Sequence, residues 1–385
     1  MNASSSPIGL LRDDPAIRLQ RRIGLAPGDG LGVGRRAVFW GLLAWLPIAV
    51  WAAATGRAVG EGGESLLAHY GVTLRLLVAI PLMIVAEAML LGAVRRIAPR
   101  FVDSGLCTGD PRTLHETAVS LARLRDRVHP WVLGVGAGAA WIAALRATGA
   151  DAGLAHDIAW AAEGGGFGAA WYLWVGRPIF VACACVWLWR AVLLAFALHR
   201  LVSLGMTLIP SHPDRLGGMG FLDGLFGALG LVAFAMSAVI AGGWAHDVVH
   251  HGTDVMSLKV PMIASVVLLT AVFLAPMLVL AGPMGRARKR ALLEYGGLLA
   301  RHGSALHRRW ILGQKLEEPS LEAPEIGAAA DAAHLYDSVG KMQTVPLRPA
   351  TVAAVAVPAA MPMLAVLAIQ VPIGDLLKAI AGVLL

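Results

Sequence analysis

The chain has 385 residues, 57% hydrophobic and 15% charged, with a net charge of +7 and a mean hydropathy of +0.67. That composition excludes an ordinary soluble domain, which needs more charge to cover its surface. The positive charge sits in alternate connections between apolar runs, so it speaks for membrane orientation and against nucleic acid.

Those runs are roughly 20 residues long, the length that crosses a hydrocarbon core of about 30 Å. Residues 1–36 read as a cytoplasmic N-terminal arm, too polar for a secretory signal. Its Arg12, Arg18, Arg21, Arg22 and Arg35 could meet lipid phosphates while Ile17, Leu19 and Ile23 lie on the membrane surface; a flexible arm fits equally well. The first span is Ala37–Ala54. The second, Gly71–Val94, holds Arg75, Pro81 and Glu87, and the cytoplasmic connection 95–130 follows. There Thr113 and Glu116 form a capping box that starts a helix near Leu114. The third span, Trp131–Leu145, is short and rich in small residues. The fourth, Trp171–Leu201, is longer than a crossing needs and carries Arg190 in mid-run.

Pro210 and a polar turn lead into the fifth span, Phe221–Trp244, and the sixth runs Val260–Ala281. Together these make a six-span membrane bundle over 37–283. Residues 284–349 form a basic cytoplasmic connection with two helices, Ala291–Ile311 and Ile326–Met342, joined by a proline-bounded linker. Residues 350–385 hold the last span, Ala350–Ile373, and a short outer tail. Of the 32 lysines and arginines, 25 fall in connections assigned to the inside. The expected fold is therefore all-α: a polytopic α-helical membrane protein of about seven transmembrane helices, N-terminus in and C-terminus out. The three cysteines show neither a disulfide framework nor zinc spacing.

The turn Ser211-His212-Pro213-Asp214-Arg215-Leu216-Gly217-Gly218-Met219-Gly220 is the one stretch where ionisable residues and glycines crowd between two apolar runs. His212, Asp214, Arg215, Gly217, Gly218 and Gly220 can be read as a turn that binds an anion or lipid headgroup. Exposed N–H groups and a helix N-terminus favour negative charge. The structural alternative has Asp214 capping the helix and the glycines permitting close packing. The stretch Ile209–Leu222 resembles the central signature of a large group of uncharacterised bacterial polytopic inner-membrane proteins. In that group Pro-Thr-His-Pro-Asp precedes Gly-Gly-Leu-Gly-Phe-Leu; here Ser211 and Met219 replace the threonine and the first leucine. Further likeness lies in Ile80-Pro81-Leu82, Ala86-Glu87, Trp187-Leu188-Trp189-Arg190 and the segment before Val345-Pro346. The resemblance implies the architecture and the inner membrane as location, and carries no mechanism.

Glu87 and Arg190 lie roughly 12–15 Å inside the cytoplasmic boundary, where lone charges are costly, so they are expected to pair. They serve either as an ion or proton relay, continued through His199 or Asp223, or as a static pair that fixes helix packing. His246, His250, His251 and Asp254 gather near the outer end of span five and offer a metal-ligand set; an outer loop is also an ordinary place for histidine. No sequence motif indicates a cofactor. The partners implied are the bilayer, including anionic headgroups, with room for a protein partner or a homo-oligomer. Three function classes follow: a transporter or channel for a small ion or solute, a non-catalytic envelope or lipid-binding scaffold, and a membrane-embedded enzyme acting on a lipid-linked substrate. The enzyme reading would use His199, His212, Asp214 and Arg215.

Overall fold

The structure is a computed structural model that describes residues 20–25, 32–60, 65–106, 158–161, 166–313 and 326–372, and residues 116–143 in part. The described residues are helical, without strands. Among the described residues six helices are long and apolar enough to cross a membrane: α1 (Val33–Ala54), α2 (Tyr70–Phe101), α3 (Phe167–Ser203), α4 (Gly220–His250), α5 (Val255–Ile311) and, last of the six, Pro349–Gln370. Between the last two comes α6 (Ile326–Gly340), so the final span is α7. The protein is thus a polytopic helical membrane protein. The expected third span (Trp131–Leu145) and the capping-box helix are described only in part and are helical at the described positions; most of the N-terminal arm and the linker after Ile311 lie outside the described residues.

Several helices run past their apolar cores, because helical hydrogen bonding continues where hydropathy stops. The fifth span extends to His250 rather than Trp244. The sixth continues as one run of 57 residues to Ile311, about 85 Å long, of which a crossing uses roughly a third. α6 folds back on its outer part: Arg288 Nη2 donates to the Gly340 carbonyl at 2.6 Å.

Prolines set the irregularities. Pro81 and Pro178 lack an N–H, so the carbonyls of Leu77 and Trp174, four residues earlier, lose their helical donor. Both carbonyls fall within π-helical stretches, Leu74–Ala79 in α2 and Tyr172–Gly176 in α3, where the wider turn absorbs the mismatch. Pro276 sits instead in a tightened 3-10 stretch, Ala275–Leu280.

α4 is the centre: 67% of its most apolar stretch is buried, against 11–39% in the other five described spans. Phe226, Leu229, Val232, Ala233 and Val239 of α4 join one core with Met83 and Ile97 of α2 and Val355 and Ala359 of α7. Small residues let the backbones meet. Gly71 of α2 lies against Gly242 and Gly243 of α4, and Gly41 of α1 faces Pro81 of α2. On the α7 side, Ser237 Oγ donates to the Ala359 carbonyl at 2.5 Å. A Cβ on Gly230 would collide with the Ala354 carbonyl, a backbone atom that cannot swing away. Gly230→Ala should therefore push α4 from α7 and cost about 1–3 kcal/mol, read as a lowered unfolding temperature in detergent. Gly224→Ala, whose Cβ would sit 3.5 Å from Ile97 Cδ1, an ordinary van der Waals contact, should change it little.

Candidate functional site

Three spans bring one carboxylate and two guanidinium groups together. Glu87 projects from α2 and is only 4% exposed. Its Oε1 accepts from Arg190 Nη2 of α3 at 2.5 Å, and its Oε2 accepts from Arg36 Nη2 of α1 at 2.6 Å. Each carboxylate oxygen thus has its own charged donor, the arrangement that makes a buried ion tolerable. Arg36 Nε also donates to Gln20 Oε1, which ties residues 20–25 to the start of α1. The Arg190 guanidinium lies 5.2 Å from the Trp187 ring centroid, and Trp187 Nε1 donates to the Met83 carbonyl at 3.1 Å, pinning α3 to α2.

The pairing of Glu87 with Arg190 is the one the sequence pointed to; Arg36 is the partner it did not. A basic residue at the start of a span is fully accounted for by headgroups and water, so nothing marked it as turned inward. The Arg35-Arg36 doublet was the available signal, since neighbours on a helix point about 100° apart and only one can face out. The relay candidates do not join the triad. Asp223 is exposed and held by α7, through Arg348 Nη2 and through Thr351 Oγ1 at 3.2 Å. His199 is exposed at the far end of α3, about 13 Å along the helix from Arg190.

The turn before α4 is built around Asp214. Its Oδ1 accepts from the N–H groups of Leu216 (2.8 Å) and Gly218 (3.1 Å), and its Oδ2 accepts from that of Gly220 (2.8 Å). Gly217 and Gly218 have φ of 68° and 94°, and Arg215 takes a left-handed φ of 57°, a conformation that costs a non-glycine residue roughly 1–2 kcal/mol. A Cβ on Gly220 would lie 3.1 Å from Asp214 Oδ2. The amides that could cradle an outside anion therefore hold the chain's own carboxylate, and a ligand would have to displace it. The turn also grips other segments: the Gln343 N–H donates to the Arg215 carbonyl at 2.9 Å, and the Thr207 N–H to that of Leu106 at 2.8 Å. Met342 is buried against Gly217.

At the opposite end of the bundle the histidines gather around His246. His69, which the sequence reading did not single out, stacks on it with ring centroids 4.1 Å apart; His250 and His251 lie at 5.0 and 5.1 Å. The His69 and His246 Nδ1 atoms lie 3.1 and 2.9 Å from the Ser65 and Ala68 carbonyls. A carbonyl only accepts, so both rings carry a proton on Nδ1. Asp254 caps the start of α5 instead, accepting from the Met256 N–H at 3.0 Å. Among the described residues no group of three or more His, Cys, Asp or Glu side chains is arranged to hold a metal ion.

No protein-family model, curated protein or solved structure matches this chain.

The carboxyl of Asp214 is held below the usual carboxylate range. Burial opposes ionisation, but the Leu216, Gly218 and Gly220 amides and the His212 ring outweigh it. Its stabilisation is thus fully present above the unfolded carboxyl value of about 3.9 and is lost as pH falls through the lower folded value. Asp214→Asn keeps one acceptor oxygen where two are used, and should cost about 1–3 kcal/mol at neutral pH. Thermal unfolding of both proteins across an acid titration should show that gap closing as the wild-type carboxyl protonates.

Proposed function

We propose that this protein is a transporter for a small ion or solute in a bacterial inner membrane, with Glu87 as its proton-responsive centre. One observation carries the reading: a single buried carboxylate joins α1, α2 and α3 through both of its oxygens. Protonation would weaken two ion pairs together, so proton binding and the separation of three spans become one event. A bistable contact of this kind is what alternating access requires. The basic connections support a position for the triad in the cytoplasmic half of the bilayer. The π-helical breaks in α2 and α3 add support, because such breaks concentrate at functional sites.

A non-catalytic scaffold is the second reading, favoured by a separate feature. α5 continues far past its span and ends in exposed Arg308, Arg309, Trp310 and Ile311, a surface suited to a protein partner.

Reconstituted vesicles with an internal pH-sensitive dye test the transport reading. Wild type should carry protons when a transported solute is supplied, and Glu87→Gln should abolish that flux. Removing only the carboxylate costs roughly 3–5 kcal/mol for a buried pair, so a folded comparison is needed. The triple variant Arg36→Met, Glu87→Leu, Arg190→Met replaces the ions by apolar groups and should fold without transporting. Solute-coupled flux in that triple variant at the wild-type rate would overturn the mechanism.

A further inference from the structure

The Arg35-Arg36 doublet divides its labour. Arg36 turns inward to Glu87 and is 4% exposed; Arg35, the next position round the helix, is exposed. Arg35 stands at the mouth of an open groove of about 710 Å³ along the outer face of α1. Val38, Leu42 and Leu46 line it at four-residue spacing, Pro47 marks its far end, and Leu25 of the tethered N-terminal segment closes its near side. From Arg35 to Pro47 the groove runs about 18 Å, close to half the hydrocarbon thickness of about 30 Å. It is therefore as deep as a single leaflet. Its lining is apolar throughout except at one end, where Arg35 sits.

We infer that this groove is a binding site for one anionic phospholipid. An acyl chain lies along Val38, Leu42 and Leu46, and the headgroup phosphate meets Arg35. The contrast between a hydrocarbon-lined channel and a cationic mouth selects for charge at one end of a chain-bearing molecule, which a zwitterionic annular lipid satisfies less well. The segment 20–25 adds Leu25 to the lining of this open face of α1. It stays there because Gln20 accepts from Arg36. The site can stand or fall apart from the transport reading: the partners of Glu87 are Arg36 and Arg190, not Arg35, Val38, Leu42 or Leu46, although Gln20 ties the segment to Arg36.

Native mass spectrometry of protein released from nanodiscs with equal phosphatidylglycerol and phosphatidylcholine provides the test. Wild type should retain one phosphatidylglycerol in preference to phosphatidylcholine. Arg35→Gln should cut that preference about fivefold, the effect of one interfacial charge. Leu42→Trp, which fills the groove, should lose the bound lipid, while Leu268→Trp on the exposed face of α5 should retain it. Equal retention of the two lipids by wild type would overturn the site. So would phosphatidylglycerol binding unchanged in both groove variants, or a second copy of the chain seated on α1 in place of lipid.

Discussion

A carboxylate buried among membrane spans has few ways to exist. Moved from water into a low-dielectric interior, an ion loses several kcal/mol of solvation even after relaxation, and only close, well-directed opposite charge recovers it. Glu87 meets that demand with two guanidinium groups drawn from two other spans. Much of the geometry around it follows. α1 must enter the bundle at the height where Arg36 reaches Glu87, and α3 must present Arg190 to the same point. Arg35 is then forced to the outer face, and residues 20–25 are held beside it through Gln20. An apolar core would tolerate sliding and rotation of these helices; a hydrogen-bonded ion cluster does not.

Asp214 poses the same problem at the membrane surface and solves it with neutral donors. Three backbone amides supply the partial positive charge that arginines supply to Glu87. The cost is conformational: two glycines and one arginine must take left-handed backbone angles. In return the turn becomes rigid enough to hold the chain that connects α6 to α7, through the Arg215 carbonyl and the buried Met342. Asp223 of α4, paired with Arg348 and Thr351, extends that grip to the first turn of α7. The entry of the central span and the entry of the last span are thereby fixed to each other.

The sequence carried the parts of this that depend on local contrast. Charges inside apolar runs stand out, so Glu87 and Arg190 were legible, and apolar length revealed the spans. Contacts that depend on which helices are neighbours were not. His69 and His246 lie 177 positions apart and meet only because glycines let α2 and α4 approach at Gly71 and Gly242. Arg36 was hidden by position, since the end of a span is where arginine needs no explanation. In the glycine turn the pattern announced a ring of exposed amides and offered Asp214 as a cap, but did not decide between an outside anion and the chain's own carboxylate. That depended on the turn bringing the Asp214 side chain back over its own backbone. The end of α4 was misplaced for a different reason: hydropathy reports where lipid stops, whereas α4 stops where hydrogen bonding does, at His250; the basic helix continuing out of the sixth expected span to Ile311 was legible.

The π-helical stretches connect these observations. A π turn holds an extra residue compared with an α turn, so it rotates everything beyond it by about 100°. In α2 the stretch Leu74–Ala79 precedes Glu87, and in α3 the stretch Tyr172–Gly176 precedes Arg190. The two stretches touch: Arg75 donates to the Tyr172 hydroxyl, and Leu76 packs against Gly176. Had both helices been regular, with these stretches held where they are, Glu87 and Arg190 would each project from a different face. Pro81 and Pro178 therefore do more than kink their helices. By making a regular turn unfavourable upstream of the charges, they set the rotation that brings carboxylate and guanidinium into register, and the buried triad depends on that irregularity.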